Sequence, residues 1–134
     1  MNNTFPEEDM ALTTILVVSD MEKSKQFYLN VLGAKIFRDY GGTSIVFEFL
    51  NSWILLVTAG GPTDDKPNVS FKPPRTKNEI NHSFTIRVSD CQKSYEILKD
   101  RGAEFITPPY DWGPELRCFF PDPDGHLFEI SQLK

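Results

Sequence analysis

Few side chains in this sequence combine the residue type and the spacing that a catalytic or metal-binding site requires. The two histidines are His82 and His126, and Glu129 follows the second of them by three residues. Imidazole and carboxylate groups bind zinc and iron, and they also act as general acids and bases. Arg87 could hold an anionic ligand group through two parallel hydrogen bonds from its guanidinium. Whether these side chains meet depends on the elements that carry them.

An internal repeat defines those elements. Residues 18–24 (VSDMEKS) match residues 88–94 (VSDCQKS) at five of seven positions, with a constant offset of 70. This offset is close to half the length of the 134-residue chain. Similarity at a fixed period indicates that each copy is one structural unit, so the repeat divides the protein into two similar modules.

Each module begins with an apolar, β-branched run that predicts a strand. A stretch with helical spacing follows, preceded by an aspartate that can cap its first turn, Asp20 or Asp90. Gly33 and Gly102 come next, where a helix commonly ends in a residue with positive φ. Three short strands separated by turn residues complete each unit. Both modules are therefore predicted to have the order βαβββ.

These elements predict an α+β fold in which two βαβββ modules, related by a pseudo-two-fold repeat, form a curved eight-stranded mixed sheet around a cleft. The single domain spans 10–134, with module one at 10–59, a proline-rich linker at 60–79 and module two at 80–134. Residues 1–9 are expected to form a loose N-terminal arm. A four-stranded sheet with one helix leaves its second face bare, so the two bare faces should line the cleft.

Strand alternation predicts which side chains face this cleft. In the first strands it places Thr13 of module one and Ser83 and Arg87 of module two on the cleft side. Aligning the last strands of the two modules at an offset of 73 puts Leu56 opposite Glu129, and both are expected in the cleft. Arg87 would then bind a ligand or form an internal salt bridge, for example with Glu129.

The remaining candidates lie at strand ends and in a loop. His82 immediately precedes the first strand of module two, so in an unbroken strand it points away from the cleft, and a bulge would turn it in. His126 follows an Asp-Gly turn and has the wrong parity relative to Glu129. The segment 108–114 (PPYDWGP) is rich in aromatic and turn residues. Trp112 within it could close over a planar ligand by stacking.

The order strand, aspartate, helix, glycine in both halves, together with the ending DPDGHLFE at 122–129, resembles the vicinal oxygen chelate superfamily. This superfamily contains glyoxalases, bleomycin resistance proteins and extradiol dioxygenases, and the resemblance covers about residues 11–133. It implies that enzymes of this kind hold one divalent metal on four cleft positions filled by His, Gln or Glu. In this sequence the four positions are Thr13, Leu56, Ser83 and Glu129.

Of these four positions, only Glu129 carries a usual metal ligand, because neutral hydroxyls bind transition metals poorly and leucine has no donor atom. We therefore predict a small-molecule-binding protein without a metal or other cofactor, and the resemblance adds an expected homodimer. The alternative is a metal-dependent glyoxalase-type lyase or isomerase, or an extradiol-type dioxygenase, with an atypical metal site that uses Glu129 and His82.

Composition narrows the expected partners and location. The formal net charge of −5 disfavours nucleic acid, because phosphate binding needs clustered Lys and Arg. No apolar run approaches the roughly 20 residues of a membrane span, and the first residues do not resemble a signal peptide. Cys91 and Cys118 fit neither a disulfide framework nor a zinc motif. The expectation is a cytoplasmic protein that binds neither nucleic acid nor membranes.

Overall fold

The computed structural model of the protein describes residues 4–134. Residues 1–3 of the predicted arm lie outside the described residues, and residues 4–9 belong to no helix or strand. The elements are β1 (Thr13–Val18), α1 (Met21–Asn30), β2 (Lys35–Asp39), β3 (Ser44–Phe49), β4 (Ser52–Thr58), β5 (Ser83–Arg87), α2 (Cys91–Asp100), β6 (Tyr110–Asp111), β7 (Glu115–Pro121) and β8 (Leu127–Leu133). Among residues 4–134, no helix has both the length and the apolar character that crossing a bilayer requires.

The strands form two four-stranded mixed sheets with equivalent topology. Their orders are β1-β4-β3-β2 and β5-β8-β7-β6, and in each the first strand of the module lies at an edge, parallel to its neighbour. The α+β class and the two βαβββ modules are thus confirmed. Within one chain, however, the eight strands form two separate sheets rather than one continuous sheet, because β1 and β5 are not paired with each other.

Both helices begin where the repeated aspartates predicted. The Asp20 carboxylate accepts a hydrogen bond from the Lys23 backbone N–H at 3.1 Å, and Asp90 accepts from the Lys93 N–H at 3.0 Å. Each bond pairs one of the four N–H groups that the first helical turn leaves free. The same local chemistry therefore starts the helix in both modules.

Both helices also end at the predicted glycines. Gly33 has φ of 74° and Gly102 has φ of 111°, in the region that glycine adopts without a Cβ penalty. Immediately after them, the Ala34 N–H donates to the Tyr28 carbonyl and the Ala103 N–H donates to the Leu98 carbonyl, each at 2.9 Å. These bonds pair carbonyls that would otherwise be left free at the helix ends.

The two modules share one core. The helix-side face, meaning the face of each sheet that packs against the helices, is apolar in both modules. It is formed by Leu16, Val18, Ile45, Phe47, Ile54 and Leu56 in module one and by Phe84, Ile86, Cys118, Phe120, Phe128 and Ile130 in module two. Tyr28 of α1 is fully buried between them, with ring centroids 5.7 Å from Phe47 and 6.1 Å from Phe128. Helix α1 thus packs on both sheets.

A turn in module two, residues 122–126, also binds module one and is called the intermodule turn here. The buried Asp122 carboxylate accepts from the Tyr28 hydroxyl at 2.7 Å and from the backbone N–H groups of Asp124 and His126 at 2.9 and 2.8 Å. Burial raises the pKa of the Asp122 carboxyl and raises that of Tyr28 well above its ordinary value. Three donors therefore satisfy one buried carboxylate, and one of them comes from the other module.

Two further bonds fix the turn to the junction between β1 and α1. The Ser19 backbone N–H donates to the Asp124 carboxylate at 3.1 Å. The His126 ring donates from Nε2 to the Val17 carbonyl at 2.8 Å, and its side chain is buried. His126 therefore belongs to the turn, and its ring joins the two modules.

Replacing Tyr28 by Phe should destabilise the protein by weakening this junction. Tyr28→Phe removes the hydroxyl and leaves a buried carboxylate oxygen without its donor, so we expect a loss of about 1–3 kcal/mol in the free energy of unfolding. Urea denaturation followed by circular dichroism measures it. Tyr95→Phe in α2 is the control, since the contacts of Tyr95 are made by its ring. Equal midpoints for the two variants would contradict this role of Tyr28.

Candidate functional site

Each sheet has a second face that carries no helix, here called the open face. Strand register assigns its members. In module one they are Thr13, Ile15, Val17, Ser44, Val46, Glu48, Trp53, Leu55 and Val57, and in module two they are Ser83, Thr85, Arg87, Glu115, Arg117, Phe119, Pro121, Leu127, Glu129, Ser131 and Leu133. In keeping with this alternation, Leu16 and Val18 are buried whereas Ile15, which precedes them on β1, is 46% exposed.

Leu56 does not belong to the open face, and its predicted position in the cleft is wrong. It pairs with Leu16 in the parallel ladder, lies on the helix-side face and is fully buried. The module-one counterpart of Glu129 is Leu55, at an offset of 74 rather than 73. All five residues of the run at 53–57 are apolar, so the sequence contains no period-2 signal that could fix the register there.

The open face of module one is mostly apolar and partly aromatic, and the exposed Glu48 on β3 adds a carboxylate to it. The Phe37 ring on β2 meets the Trp53 ring edge-on, with centroids 5.0 Å apart. Ile15 lies on β1, and Leu55, its register partner on β4, lies next to it. Thr13 is exposed at the start of β1 and provides a hydroxyl at the end of this face. Such a surface suits the apolar part of a ligand.

The open face of module two carries the charged groups, and Glu129 is paired there. Its side chain is 10% exposed, and its carboxylate accepts from the Thr85 hydroxyl at 2.6 Å. The Nε of Arg117 lies 3.6 Å from its second oxygen. Glu129 is therefore not an isolated buried carboxylate, and the arginine beside it is Arg117 rather than Arg87.

Arg87 forms the internal salt bridge that was one of its two predicted roles, but with Glu115. Its guanidinium donates to the Glu115 carboxylate at 3.2 Å and to the Ser131 hydroxyl at 2.7 Å. The Ser131 hydroxyl donates to Glu115 at 2.6 Å, and this bond, with those from Arg87 and Arg117, lowers the pKa of the Glu115 carboxyl. Because the Arg87 side chain is 57% exposed, it can still reach a ligand.

Arg117 lies at the centre of this network and has aromatic rings beside it. It donates to Glu115 at 2.8 Å, and its guanidinium carbon lies 5.0 Å from the ring centroid of Trp112 and 5.7 Å from that of Phe119. Cation–π contacts of this kind hold the guanidinium plane in place. Trp112 is 56% exposed, and its ring centroid lies 5.1 Å from that of Tyr110. Through its contact with Arg117 it borders the module-two open face.

Ser83 lies on the open face at the exposed start of β5, and His82 immediately precedes it. The β5–β8 register is unbroken, so no bulge within β5 redirects the chain toward the open face. His82 instead donates from Nδ1 to the Asn81 side-chain carbonyl at 2.8 Å, and its ring lies 6.0 Å from that of His126. The two histidines thus lie beside each other, outside the Glu129 network.

The cysteines do not provide a nucleophile. Cys91 and Cys118 are both buried and free. Burial raises the pKa of the Cys118 thiol to about 12 and raises that of Cys91 as well. Because the thiolate is the reactive form, neither side chain is activated for nucleophilic attack near neutral pH.

The donor set does not fit the metal that the sequence resemblance implies. With the corrected register, the four positions are Thr13, Leu55, Ser83 and Glu129, of which one provides a carboxylate. Within residues 4–134, no group of three or more His, Cys, Asp or Glu side chains is placed to hold a metal ion. Catalytic zinc and iron sites need at least three such ligands.

Comparisons with known proteins agree with this architecture. Metallothiol transferase FosB from Lysinibacillus sphaericus is 33% identical over 119 residues, which cover 84% of this chain and 74% of that protein. Lactoylglutathione lyase from Neisseria meningitidis serogroup B is 29% identical over 131 residues, covering 92% and 90%. A crystal structure of a glyoxalase/bleomycin resistance protein/dioxygenase from Nocardioides matches with a TM-score of 0.73 at 23% identity, covering 95% of this chain and 85% of that one.

The family assignment rests on a match that spans both modules. The model of the Glyoxalase/Bleomycin resistance protein/Dioxygenase superfamily matches residues 11–130, which include every helix and strand except the last residues of β8. The two βαβββ modules, their capped helices and the intermodule turn all lie within that range. The chain therefore belongs to the glyoxalase/bleomycin resistance protein/dioxygenase superfamily.

Proposed function

We propose that this protein binds a small molecule between open faces of its two modules and does so without a catalytic metal. The observation that carries the proposal is the donor set. Thr13, Leu55 and Ser83 occupy positions where a metal would need imidazole or carboxylate groups, and Glu129 alone cannot hold one. A surface that keeps its shape but lacks metal ligands is suited to binding rather than to metal-assisted chemistry.

The binding cavity is completed by a second copy of the chain. The two modules contact each other through their helix-side faces and the intermodule turn, so each open face needs a partner from outside. The edge strands β1 and β5 each have one side free for pairing. If β1 of one copy pairs with β5 of the other, the eight-stranded curved sheet forms across a homodimer. Each cavity then joins the module-one open face of one chain to the module-two open face of its partner.

The two faces select different parts of a ligand. Module one offers apolar and aromatic contacts, chiefly from Ile15 and Trp53. Module two offers hydroxyls and guanidinium groups whose charge is balanced by the carboxylates of Glu115 and Glu129. A ligand with an apolar body and a polar end of low net charge matches this combination, because the charged groups on the protein already pair with one another.

An enzymatic function is the second candidate, and the names of the relatives favour it. Two of them are called a metallothiol transferase and a lactoylglutathione lyase. A lyase or transferase of that kind would need a metal on Glu129, with His82 as a further ligand. The unbroken pairing of β5 and the hydrogen bond from His82 to Asn81 both oppose that arrangement.

Metal content separates these two functions. Protein purified without chelator, incubated with zinc, nickel, iron or manganese and then desalted should retain below about a tenth of an equivalent of metal, since only Glu129 among the four metal-ligand positions is a suitable donor. Inductively coupled plasma mass spectrometry measures the retained metal. Stoichiometric metal that is lost in both Glu129→Gln and His82→Ala would establish the enzymatic alternative instead.

A lysine on the module-one open face should disrupt the proposed dimer. Ile15→Lys places a charge beside the free edge of β1, and burying an unpaired ammonium in a dimer interface is costly. Size-exclusion chromatography with light scattering should give a dimer for the parent protein and a monomer for Ile15→Lys. Val69→Lys is the matched control, because Val69 is 49% exposed, close to the exposure of Ile15, and lies in the linker outside both sheets. A parent protein that is monomeric at micromolar concentration would refute the shared cavity.

Ligand binding can be followed through the two tryptophans, Trp53 and Trp112, which border the opposite open faces. The uncharged fluorescent probe N-phenyl-1-naphthylamine has an apolar body and one polar amine, and we expect it to bind saturably and to quench both tryptophans. Trp53→Phe and Trp112→Phe should each retain part of the quenching. Glu129→Gln keeps the shape of the site but removes one of the two carboxylates beside Arg117, so it should alter the binding free energy by about 1–3 kcal/mol. Quenching of one tryptophan alone would contradict a cavity built from both faces.

A further inference from the structure

A second cavity lies away from both open faces. It has a volume of about 630 Å³ and lies between the C-terminal part of the linker and the intermodule turn. Pockets of this volume accommodate small organic molecules. The ionisable side chains that line the cavity are Lys72, Arg75, Glu79, His82 and His126. The function proposed for the open faces uses none of the cavity.

The charge of this cavity is opposite to that of the whole protein. The chain has a formal net charge of −5, yet the lining contains Lys72 and Arg75 against one carboxylate, Glu79. Among the ion pairs of residues 4–134, none involves Lys72 or Arg75. Two unpaired cations grouped at a concave surface produce a local positive potential, which attracts anions.

Two histidine side chains also line this cavity, and their ring nitrogens differ in accessibility. The His126 side chain is 5% exposed, its Nε2 donates to the Val17 carbonyl, and its Nδ1 is inaccessible to solvent, so a molecule in the cavity can contact the ring but not Nδ1. The neighbouring His82 is exposed and keeps Nε2 available, because its Nδ1 donates to Asn81.

Two imidazole rings beside two cations suit either a metal ion or an anionic group. A divalent cation is disfavoured, because Lys72 and Arg75 would repel it and because, within residues 4–134, no three His, Cys, Asp or Glu side chains are grouped closely enough to hold a metal ion. A phosphate group fits this lining. Its oxygens accept from the guanidinium and ammonium groups, and a protonated phosphate oxygen can donate to His82 Nε2.

We propose that this cavity binds the phosphate group of a small phosphate monoester. Arg75 and Lys72 pair with the phosphate oxygens, and His82 Nε2 accepts from a protonated phosphate oxygen. Three half-buried apolar residues of the lining, Pro73, Pro74 and Ile80, contact the organic part of the ester. The organic part therefore adds affinity that inorganic phosphate cannot obtain.

Isothermal titration calorimetry of the full chain with inorganic phosphate and with phenyl phosphate, at constant ionic strength set with chloride, tests the proposal. We expect saturable binding of one phenyl phosphate per chain, tighter than that of inorganic phosphate. The double variant Lys72→Ala/Arg75→Ala should weaken this binding by about tenfold or more. Lys35→Ala/Lys93→Ala removes the same charge from exposed positions elsewhere and should change the affinity by less than about twofold.

Three results would overturn the proposal. Equal weakening in the two double variants would mean that binding reflects net charge alone. Phenyl phosphate that binds no more tightly than inorganic phosphate would exclude a monoester site. Zinc binding in the absence of phosphate, lost in His82→Ala and kept in Lys72→Ala/Arg75→Ala, would identify the two histidines as a metal site instead.

Discussion

The buried carboxylate of Asp122 is the constraint on which the rest of the structure depends. A carboxylate removed from water must be hydrogen-bonded, and Asp122 finds two donors in its own turn and a third in the hydroxyl of Tyr28 from the other module. Because Asp124 and His126 bind the backbone at the start of module one at the same time, the turn fixes how the two modules are oriented. A short loop thereby replaces the strand pairing that the two sheets do not make within the chain.

This orientation buries the helix-side faces of both sheets in one internal core and leaves the open faces uncovered. The consequence is that half-exposed apolar side chains such as Ile15 and Trp53 lie beside a free strand edge. Exposed apolar surface next to an unpaired edge favours association, and a second chain can satisfy both needs at once. The proposed homodimer and the proposed binding cavity are therefore two results of the same internal packing.

On the module-two open face, charge balance restricts the chemistry. A general base needs a carboxylate that can take up a proton, but Glu129 is held by Thr85 and Arg117, and Glu115 is held by Ser131 and two arginines. Neither carboxylate is therefore unpaired among the described residues. The cavity beside the intermodule turn is different in kind, because Lys72 and Arg75 in its lining form no ion pair among residues 4–134.

The features of the fold that depend on local interactions could be predicted from the sequence. The repeat, the aspartate caps and the glycines with positive φ involve bonds within a few residues, so their signals lie within each module. Tertiary structure decided the register of β4, where an uninterrupted apolar run placed Leu55 rather than Leu56 on the open face. It also decided that Arg117 pairs with Glu129 and that His126 reaches the other module. Those contacts join side chains from different strands or modules, and long-range pairing leaves no periodic trace in one chain's sequence.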